Sequence, residues 1–419
     1  MSNIENQWEH IIGLEVHAKL KTNTKIFSSS TNHFGDEPNT NIEMIDTGQP
    51  GTLPLLNKKA VELAVKFGCA VNAKIALESH FDRKSYFYPD SPRNYQITQF
   101  ETPIVTKGYV ESLIDGKEKR FEISHAHLED DAGMLKHFSD FAGVDLNRAG
   151  VPLLEIVTTP CLHSAAEASA FVNTLKAILQ YTGVSDGNME EGSLRIDTNI
   201  SVRPKGEKNL RNKVEIKNLN SVSNMVIGIE AEIARQIKCY SANPDTDPKI
   251  AVPSSTVRLD LARNKTIPMR TKEKNADYRY FPEPDIPPVI LSHSYIDSIR
   301  SSLPELPQER LKRYINELDL SDYNAKILVE DKLLSDYFEK GLTKTTNASL
   351  LCNWITVEFC GRLKNKELLI YHTHIPPERI GTLVSYIENK KVTGRIAKEI
   401  ADIMIDNQDM EVDTIIANN

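Results

Sequence analysis

The sequence predicts an α+β protein in which an antiparallel sheet is followed by an all-α C-terminal domain. Up to about residue 290, short alternating runs of apolar and polar residues are separated by Gly, Pro and Asn, which is typical of strands and turns. From Leu303 onward the apolar residues recur with helical spacing. The proline-rich segment 281–288 separates the two patterns and cannot form a regular helix. We therefore expect a domain boundary near residue 293.

Size and composition indicate an ordinary globular protein. The chain has 419 residues, 26% of them charged, and a net charge of −8, which disfavours nucleic acid unless a local basic patch or a partner subunit supplies the contact. The five cysteines are scattered, which favours reduced thiols. No apolar run is long enough to span a bilayer and the N-terminus lacks a signal pattern, so we expect a cytoplasmic protein with no membrane contact.

The first element is a strand over residues 11–20, where apolar and polar residues alternate strictly. This alternation predicts that Ile12 and every second residue to Leu20 are buried, while Glu15 and His17 share the opposite face. A carboxylate beside an imidazole suits a divalent cation, although an ordinary half-buried strand explains the decapeptide equally well.

Three later segments, 151–157, 194–202 and 214–218, also read as strands that carry a few polar side chains. These side chains are Glu155, Arg195, Asp197, Asn199, Glu215 and Lys217. Glu155 stands alone in an apolar run, and a buried acid requires a partner such as a metal ion.

A further acidic segment, 125–131, contains two histidines and three acids. Oxygen ligands with one imidazole suit Mg²⁺ or Mn²⁺ better than Zn²⁺, and such ions commonly bind through substrate phosphates. The set therefore indicates phosphoryl transfer, in which catalysis is mostly positioning and charge neutralisation. The alternative is that the histidines are core or surface residues and the acids are solvated.

Helices are predicted at two places in the first domain and at five in the second. Ser164 and Glu167 form a capping-box pattern before an apolar run that continues to Gly183, and another helix extends from Val222 to about Lys238. The C-terminal helices are predicted over residues 308–318, 321–334, 349–363, 377–389 and 395–405.

Basic and aromatic residues cluster in two segments that could hold phosphates and bases. The first, 81–90, contains Arg83 and Lys84, and the second contains Arg270, Lys272 and the aromatic run 277–281. Amphipathic surface residues give the same pattern. The chain has no P-loop, no dinucleotide-binding glycine motif and no nucleophile elbow, so these nucleotide folds and a covalent hydrolase are not supported.

Together these segments resemble the GatB/GatE family of tRNA-dependent amidotransferase subunits. The motifs that carry the resemblance occur in order at residues 12–17, 37–41, 50–54, 81–84, 86–90, 127–129, 131–133, 145–157, 187–195, 215–221 and 277–285. They span about 290 residues, and several are long.

The resemblance implies a catalytic cradle related to glutamine synthetase over residues 1–293, a helical domain over 294–405 and a remnant of a C-terminal tail domain over 406–419. It also implies a reaction. ATP and Mg²⁺ would phosphorylate the side-chain carboxylate of Glu on tRNA(Gln) or Asp on tRNA(Asn), and ammonia from the glutaminase subunit GatA would then displace phosphate. GatC would link the two subunits in a heterotrimer.

The family pattern also implies roles for individual residues. The metal ligands would be Glu15, His17, Glu155 and either Glu129 or Asp130. Asp197 and Glu215 would be further acids in the catalytic cavity. The side chains expected to bind the nucleotide are Arg83, Lys84, Arg195, Asn199 and Lys217.

The chain departs from the family pattern in three ways. Residues 28–30 and 43–46 lack the cysteines that many relatives use for zinc, so we expect no zinc. The usual Glu-Glu-Asp run is Glu129-Asp130-Asp131 here, and alternation cannot decide whether Glu129 or Asp130 points inward. Members of the family also usually continue for several dozen residues beyond the position of Asn419. The affinity for tRNA is therefore the property in doubt. Two alternatives therefore stay open: a paralogue that activates a different carboxylate, and a catalytically silent scaffold for tRNA or GatA.

Overall fold

A computed structural model describes residues 7–269 and 277–418. The chain divides into two compact units between Pro304 and Glu305. The first unit is α+β and the second is helical, in agreement with the predicted fold class. No helix among the described residues is both long and apolar enough to cross a membrane.

A nine-stranded sheet forms the centre of the first unit. Its strands are β1 (Trp8–Lys19), β2 (Lys74–Ile75), β6 (Val105–Ile114), β7 (Lys117–Asp130), β10 (Pro152–Thr158), β11 (Leu194–Pro204), β12 (Val214–Leu219), β13 (Ser255–Asp260) and β14 (Lys265–Pro268). They lie in the order β14-β13-β12-β11-β1-β10-β7-β6-β2. Strand β1 lies in the middle, between β10 and β11, so its polar face is at the centre of the sheet.

The alternation predicted for β1 is confirmed. Ile12, Leu14, Val16 and Ala18 are almost completely buried, and their side chains face the core of the unit. Burial of these apolar side chains stabilises the sheet by roughly 1.5–3 kcal/mol for each large residue. The side chains between them, including Glu15 and His17, lie on the opposite face.

Three helices pack against the sheet: α1 (Lys58–Ala70), α2 (Ala165–Tyr181) and α3 (Val222–Ala242). The capping-box prediction for α2 is confirmed in part, because Ser164 Oγ accepts from the Glu167 N–H, while the Glu167 carboxylate accepts from the N–H of His163 instead of that of Ser164. Helix α1, whose N-cap is Asn57, was not predicted. Nine of its thirteen residues are buried, and its polar face is formed by Lys58, Lys59, Glu62 and Lys66, so the helical spacing is present in the sequence although we did not predict the helix.

The prediction of an antiparallel sheet is wrong at one position, because β12 and β13 pair in parallel. Helix α3 lies between these two strands in the sequence. It returns the chain to the end of the sheet at which β12 begins, so that β13 runs in the same direction as β12. Thr256 of β13 is thereby placed beside Glu215 of β12.

Smaller sheets flank the central one, and two short helices complete the unit. The remaining strands are β3 (Glu78–Ser79), β4 (Asp82–Ser85), β5 (Tyr95–Thr98), β8 (Met134–His137), β9 (Ala142–Asp145), β15 (Phe281–Pro282) and β16 (Val289–Ile290). They pair as β15-β4-β5, β16-β3 and β8-β9. The short helices are α4 (Pro248–Ala251) and α5 (His293–Ser301).

The second unit consists of α6 (Pro307–Asn316), α7 (Asp322–Glu330), α8 (Lys332–Leu342), α9 (Ala348–Asn353), α10 (Cys360–Lys364), α11 (Pro377–Glu388), α12 (Gly394–Asp406) and α13 (Val412–Asn418). A π-helical turn, Trp354–Phe359, joins α9 to α10, so the helix predicted over 349–363 is continuous. The helix predicted over 321–334 is two helices, because the backbone of Asp331 is extended and its carboxylate caps α8.

The division between the units lies later than the boundary predicted near residue 293. Helix α5 packs against α1 and therefore belongs to the first unit. Helix α13 lies in the segment 406–419, which we predict to be a remnant of a C-terminal tail domain, and it packs against α11 and α12.

Candidate active site

The candidate site lies on the polar face of the central sheet, where β7, β10 and β1 are neighbours. His17 on β1 is directly opposite Glu155 on β10, and Glu155 is directly opposite His127 on β7. Cross-strand partners project from the same face of a sheet, so the three side chains converge. Glu129, two residues beyond His127 on β7, joins them on this face.

The four side chains make close contacts. Glu155 Oε2 lies 3.3 Å from Nε2 of both His17 and His127, and Glu129 Oε1 lies 3.5 Å from His17 Nε2. Within residues 7–269 and 277–418, only His17, Glu129 and Glu155 form a group of three or more potential ligands whose atoms lie within 4.8 Å of one another. Two carboxylates and an imidazole are a donor set that suits Mg²⁺ or Mn²⁺.

The electrostatics of the cluster reflect this mixture of charges. Burial alone would lower the pKa of both histidines, but contacts with Glu155 and Glu129 outweigh it, raising the pKa of His17 above its usual value and that of His127 to about 9. Burial would raise the pKa of Glu155, yet the two imidazoles hold it well below its usual range. The low pKa keeps the Glu155 carboxylate ionised, the form that binds a cation.

A shift in strand register makes the cluster possible. Val157 pairs with His125, but the next residue, Thr158, pairs with Ile123, so β7 carries one additional residue at this point. Such a bulge reverses the alternation of the strand. Ile123 is consequently buried in the core, whereas His127 and Glu129 lie on the polar face.

Asp130 is not part of the cluster. It is buried on the other face of β7, where its carboxylate accepts from the N–H of Ile97 at 2.8 Å and pairs with Arg93. Burial raises the pKa of Asp130 to about 6, against the opposing effect of Arg93. Of the two alternatives that the sequence left open, the structure thus brings Glu129 to His17 and does not bring Asp130 there.

Glu15 lies beside the cluster on the same face of β1. Its carboxylate accepts from Asn199 Nδ2 at 2.9 Å, and it is directly opposite Asp197. Lys217 Nζ lies 3.1 Å from both Asp197 and Glu215, and these acids raise its pKa although burial opposes them. The predicted acids and bases of β11 and β12 therefore form one network.

Two predicted nucleotide-binding cations have opposite environments, although they are adjacent in sequence. Lys84 lies beside the cluster, and burial, which lowers its pKa, is outweighed by Glu129, Tyr280 and Glu155. Arg83 points away, where it binds Glu283 at 2.6 Å and Asp285 at 3.0 Å. The alternation of β4 separates them, so the structure brings Lys84 to the site and does not bring Arg83 there.

Arg195, another predicted nucleotide-binding residue, lies across from His17 on β11. Its guanidinium donates to Asp131 Oδ2 at 2.6 Å, and Asp131 also lies 3.7 Å from Arg148. Asp131 therefore orients Arg195 beside the cluster.

A cavity of about 490 Å³ opens over this face of the sheet. The residues that line it are Glu15, His17, Lys84, Glu155, Asp197, Asn199, Lys213, Glu215, Lys217, Ser254, Ser255, Thr256 and Tyr278. Sequence reasoning missed Lys213, Ser254, Ser255 and Thr256, whereas Tyr278 belongs to the predicted aromatic run 277–281. Thr256, which donates to Glu215 at 2.9 Å, was missed because the parallel pairing of β13 was not predicted. The basic residues Arg270 and Lys272 lie outside the described residues.

The segments 28–30 and 43–46, where we expect no zinc, are joined by hydrogen bonds. Ser28 Oγ donates to Asp46 at 3.0 Å, Ser30 also donates to Asp46, and the fully buried Lys25 lies 3.4 Å from the same carboxylate. A lysine and two hydroxyls thus satisfy Asp46.

Comparison with known proteins decides the family. Residues 10–297 match the model of the GatB/GatE catalytic domain, and residues 336–419 match the model of the GatB domain. The chain belongs to the GatB/GatE family. The family resemblance inferred from the motifs is therefore confirmed.

Similar proteins include family members from chlamydiae. A protein of Chlamydia muridarum (strain MoPn / Nigg) is 56% identical over 97% of this chain and 83% of its own length, and one of Protochlamydia amoebophila (strain UWE25) is 55% identical over 99% and 84%. A Chlamydia abortus protein (strain DSM 27085 / S26/3) is 53% identical over 100% and 86%. Each of the three is named as a subunit of aspartyl/glutamyl-tRNA(Asn/Gln) amidotransferase.

Proposed function

We propose that this chain is the subunit of a cytoplasmic tRNA-dependent amidotransferase that activates the side-chain carboxylate of a misacylated tRNA. Its substrates would be Glu on tRNA(Gln), Asp on tRNA(Asn), or both. The proposal rests on family membership, on relatives named for this activity, and above all on one observation: the cluster of His17, Glu129 and Glu155, of which His17 and Glu155 line an open cavity together with Lys84.

The reaction would have two steps. A carboxylate oxygen of the substrate side chain attacks the γ-phosphorus of ATP, and ADP leaves with its bridging oxygen. Ammonia then attacks the carbon of the acyl phosphate, the bond between this carbon and the phosphate oxygen breaks, phosphate leaves, and the new amide nitrogen loses a proton. Phosphorylation is needed because a free carboxylate is a poor acceptor for ammonia.

The donor set fits a divalent cation that His17, Glu129 and Glu155 would hold. Such an ion would neutralise phosphate charge. His127, whose Nε2 contacts the carboxylates of Glu129 and Glu155, would orient these two ligands. We propose Mg²⁺ as the resident ion, with Mn²⁺ as a substitute, and no zinc at Ser28–Ser30 or Asp46, where hydroxyls and a lysine satisfy the carboxylate.

The cations around the cavity would bind the phosphate groups. Lys84 has no carboxylate within salt-bridge distance in the described part of the chain, so its ammonium can contact a phosphate without first breaking an ion pair. Lys217 is held by Asp197 and Glu215, and Arg195 by Asp131, so both are fixed in position before substrate binds. Preorganised charges of this kind stabilise a phosphoryl-transfer transition state.

The partners follow from the same proposal. The chain would assemble with GatA, which releases ammonia from glutamine, and with GatC. The relation of the cradle to glutamine synthetase is part of this proposal, and the sheet supports it because one face is covered by helices while the other carries the acidic site.

The test is tRNA-dependent ATP hydrolysis and amide formation by the reconstituted three-subunit complex. We expect ADP release to require both misacylated tRNA and Mg²⁺, and the amidated aminoacyl-tRNA to require glutamine. ADP release that requires a different carboxylate would indicate a paralogue. A complex that binds tRNA but never hydrolyses ATP would indicate a scaffold.

A further inference from the structure

We propose that Phe100 and Tyr280 form a stacking surface for the adenine ring of a nucleotide bound beside the cavity. This inference rests on the proposed function and adds to it a binding site for the base. The adenine belongs either to ATP or to the 3′-terminal adenosine of tRNA, which share this ring.

The two aromatic rings are stacked and exposed. Their centroids are 4.1 Å apart and their planes differ by 12°, while Phe100 is 54% and Tyr280 36% exposed. Exposed aromatic rings offer flat apolar area on which a planar base can stack. A planar base that stacks on the pair would cover this surface.

The pair is next to the candidate active site. Tyr280 is 6.1 Å from Tyr278, centroid to centroid, and Tyr278 lines the cavity that holds Glu15 and His17. Lys84 Nζ lies 4.9 Å from the centre of the Tyr278 ring. The aromatic surface thus begins near Lys84, a cation that is suited to phosphate, and extends away from it. A nucleotide has the same arrangement, with its phosphates at one end and its base at the other.

Backbone hydrogen bonds fix Phe100, and the chain on either side of Tyr280, against β4, where Phe281 pairs with Arg83. The N–H of Phe100 donates to the buried carboxylate of Asp82 at 2.9 Å, and the N–H of Ser85 donates to the carbonyl of Tyr278 at 2.8 Å. Arg279, between the two tyrosines, has a φ of 47°, a left-handed conformation that non-glycine residues rarely adopt. A surface that is held in place before binding loses little entropy when a base stacks on it.

The experiment measures dissociation constants of the reconstituted complex for three probes: ATP, inorganic tripolyphosphate and tRNA. Phe100→Ala and Tyr280→Ala should each weaken binding of ATP or of tRNA, whichever supplies the stacked adenine, about tenfold or more. Stacking on aromatic side chains contributes strongly to base binding. Tripolyphosphate has no base, so its affinity should not change. Tyr280→Phe retains the ring and should bind as the unmodified complex does.

A matched control is available in the β8-β9 hairpin. Phe138 and Phe141 are also an exposed stacked pair, with centroids 4.5 Å apart, and Phe141→Ala should leave all three affinities unchanged. Weaker binding of ATP alone identifies its adenine as the stacked ring, and weaker binding of tRNA alone identifies the terminal adenosine.

Two results would overturn the proposal. One is unchanged affinity for both ATP and tRNA in Phe100→Ala and Tyr280→Ala. The other is an equal loss for ATP and tripolyphosphate, which would mean that the substitutions disturb phosphate binding. Failure of the unmodified complex to bind ATP would instead contradict the proposed function itself, so the two failures are distinguishable.

Discussion

Glu155 Oε2 lies at the same distance, 3.3 Å, from Nε2 of His17 and Nε2 of His127. This carboxylate therefore links the central strand β1 to β7 through β10, and it carries the negative charge on which both imidazoles depend. Removing the charge without changing the shape of the side chain isolates its electrostatic role.

We expect Glu155→Gln to reduce ATP-dependent amidation by the reconstituted complex on the order of 10²-fold, because a ligand charge is lost where phosphate charge must be neutralised. Glutamine hydrolysis by GatA should continue. His17→Ala and Glu15→Gln should have effects of the same kind. Glu122→Gln, an exposed position on β7, is the control and should remain active. Full amidation by Glu155→Gln would refute the assignment.

Glu129 and Asp130 are adjacent on β7 but should differ in what they affect. Glu129→Gln should lose amidation on the order of 10²-fold even under conditions where the variant is fully folded. Asp130→Asn should mainly lower stability, by about 2 kcal/mol or more, because Arg93 loses the charge of its buried partner. Thermal unfolding and amidation assays on both variants decide this. The reverse pattern would make Asp130 the functional acid.

Lys84 and Arg83 provide a second adjacent pair. Lys84→Met should reduce phosphoryl transfer on the order of 10²-fold and leave the melting curve nearly unchanged, since the lysine would contact phosphate. Arg83→Met should lower the free energy of unfolding by about 3 kcal/mol, because Glu283 would be left buried and unpaired. Kinetics combined with chemical denaturation measure both effects. Equal kinetic losses at similar stability would show that Arg83 also acts in catalysis.

The purified protein should contain no stoichiometric zinc. Around Asp46 the structure places serine hydroxyls and Lys25, none of which is a usual zinc ligand, and His33 is paired with Asp36 at 3.0 Å. Elemental analysis after mild chelation measures the metal content directly. About one zinc per chain, lost in His33→Ala, would contradict this prediction.

Much of the fold could be predicted from sequence wherever the pattern is local. Strand β1, helices α2 and α3 and most C-terminal helices follow from alternation, capping residues and helical spacing. Helix α1 has an amphipathic pattern as well, with Asn57 as its N-cap, and was missed although these local signals are present. The parallel pairing of β12 with β13 depends on contacts between distant residues, which no local pattern encodes.

The candidate site shows the same limit. Strand alternation indicated that Glu15 and His17 share a face, but alternation through residues 121–129 would place Phe121 on the same face as Glu129. The bulge beside Ile123 separates them, so that Phe121 packs against Phe171 of α2 while Glu129 contacts His17. Only the register of three paired strands distinguishes Glu129 from Asp130 as the acid that meets His17.

The central claim is that His17, Glu129 and Glu155 together hold a divalent cation. Titration of the purified chain with Mn²⁺, followed by electron paramagnetic resonance of the free ion, tests it most directly. We expect one site that Mg²⁺ displaces, with affinity reduced about 10- to 100-fold in Glu155→Gln and unchanged in Glu122→Gln. Equal Mn²⁺ affinity in the unmodified chain and in Glu155→Gln would contradict it.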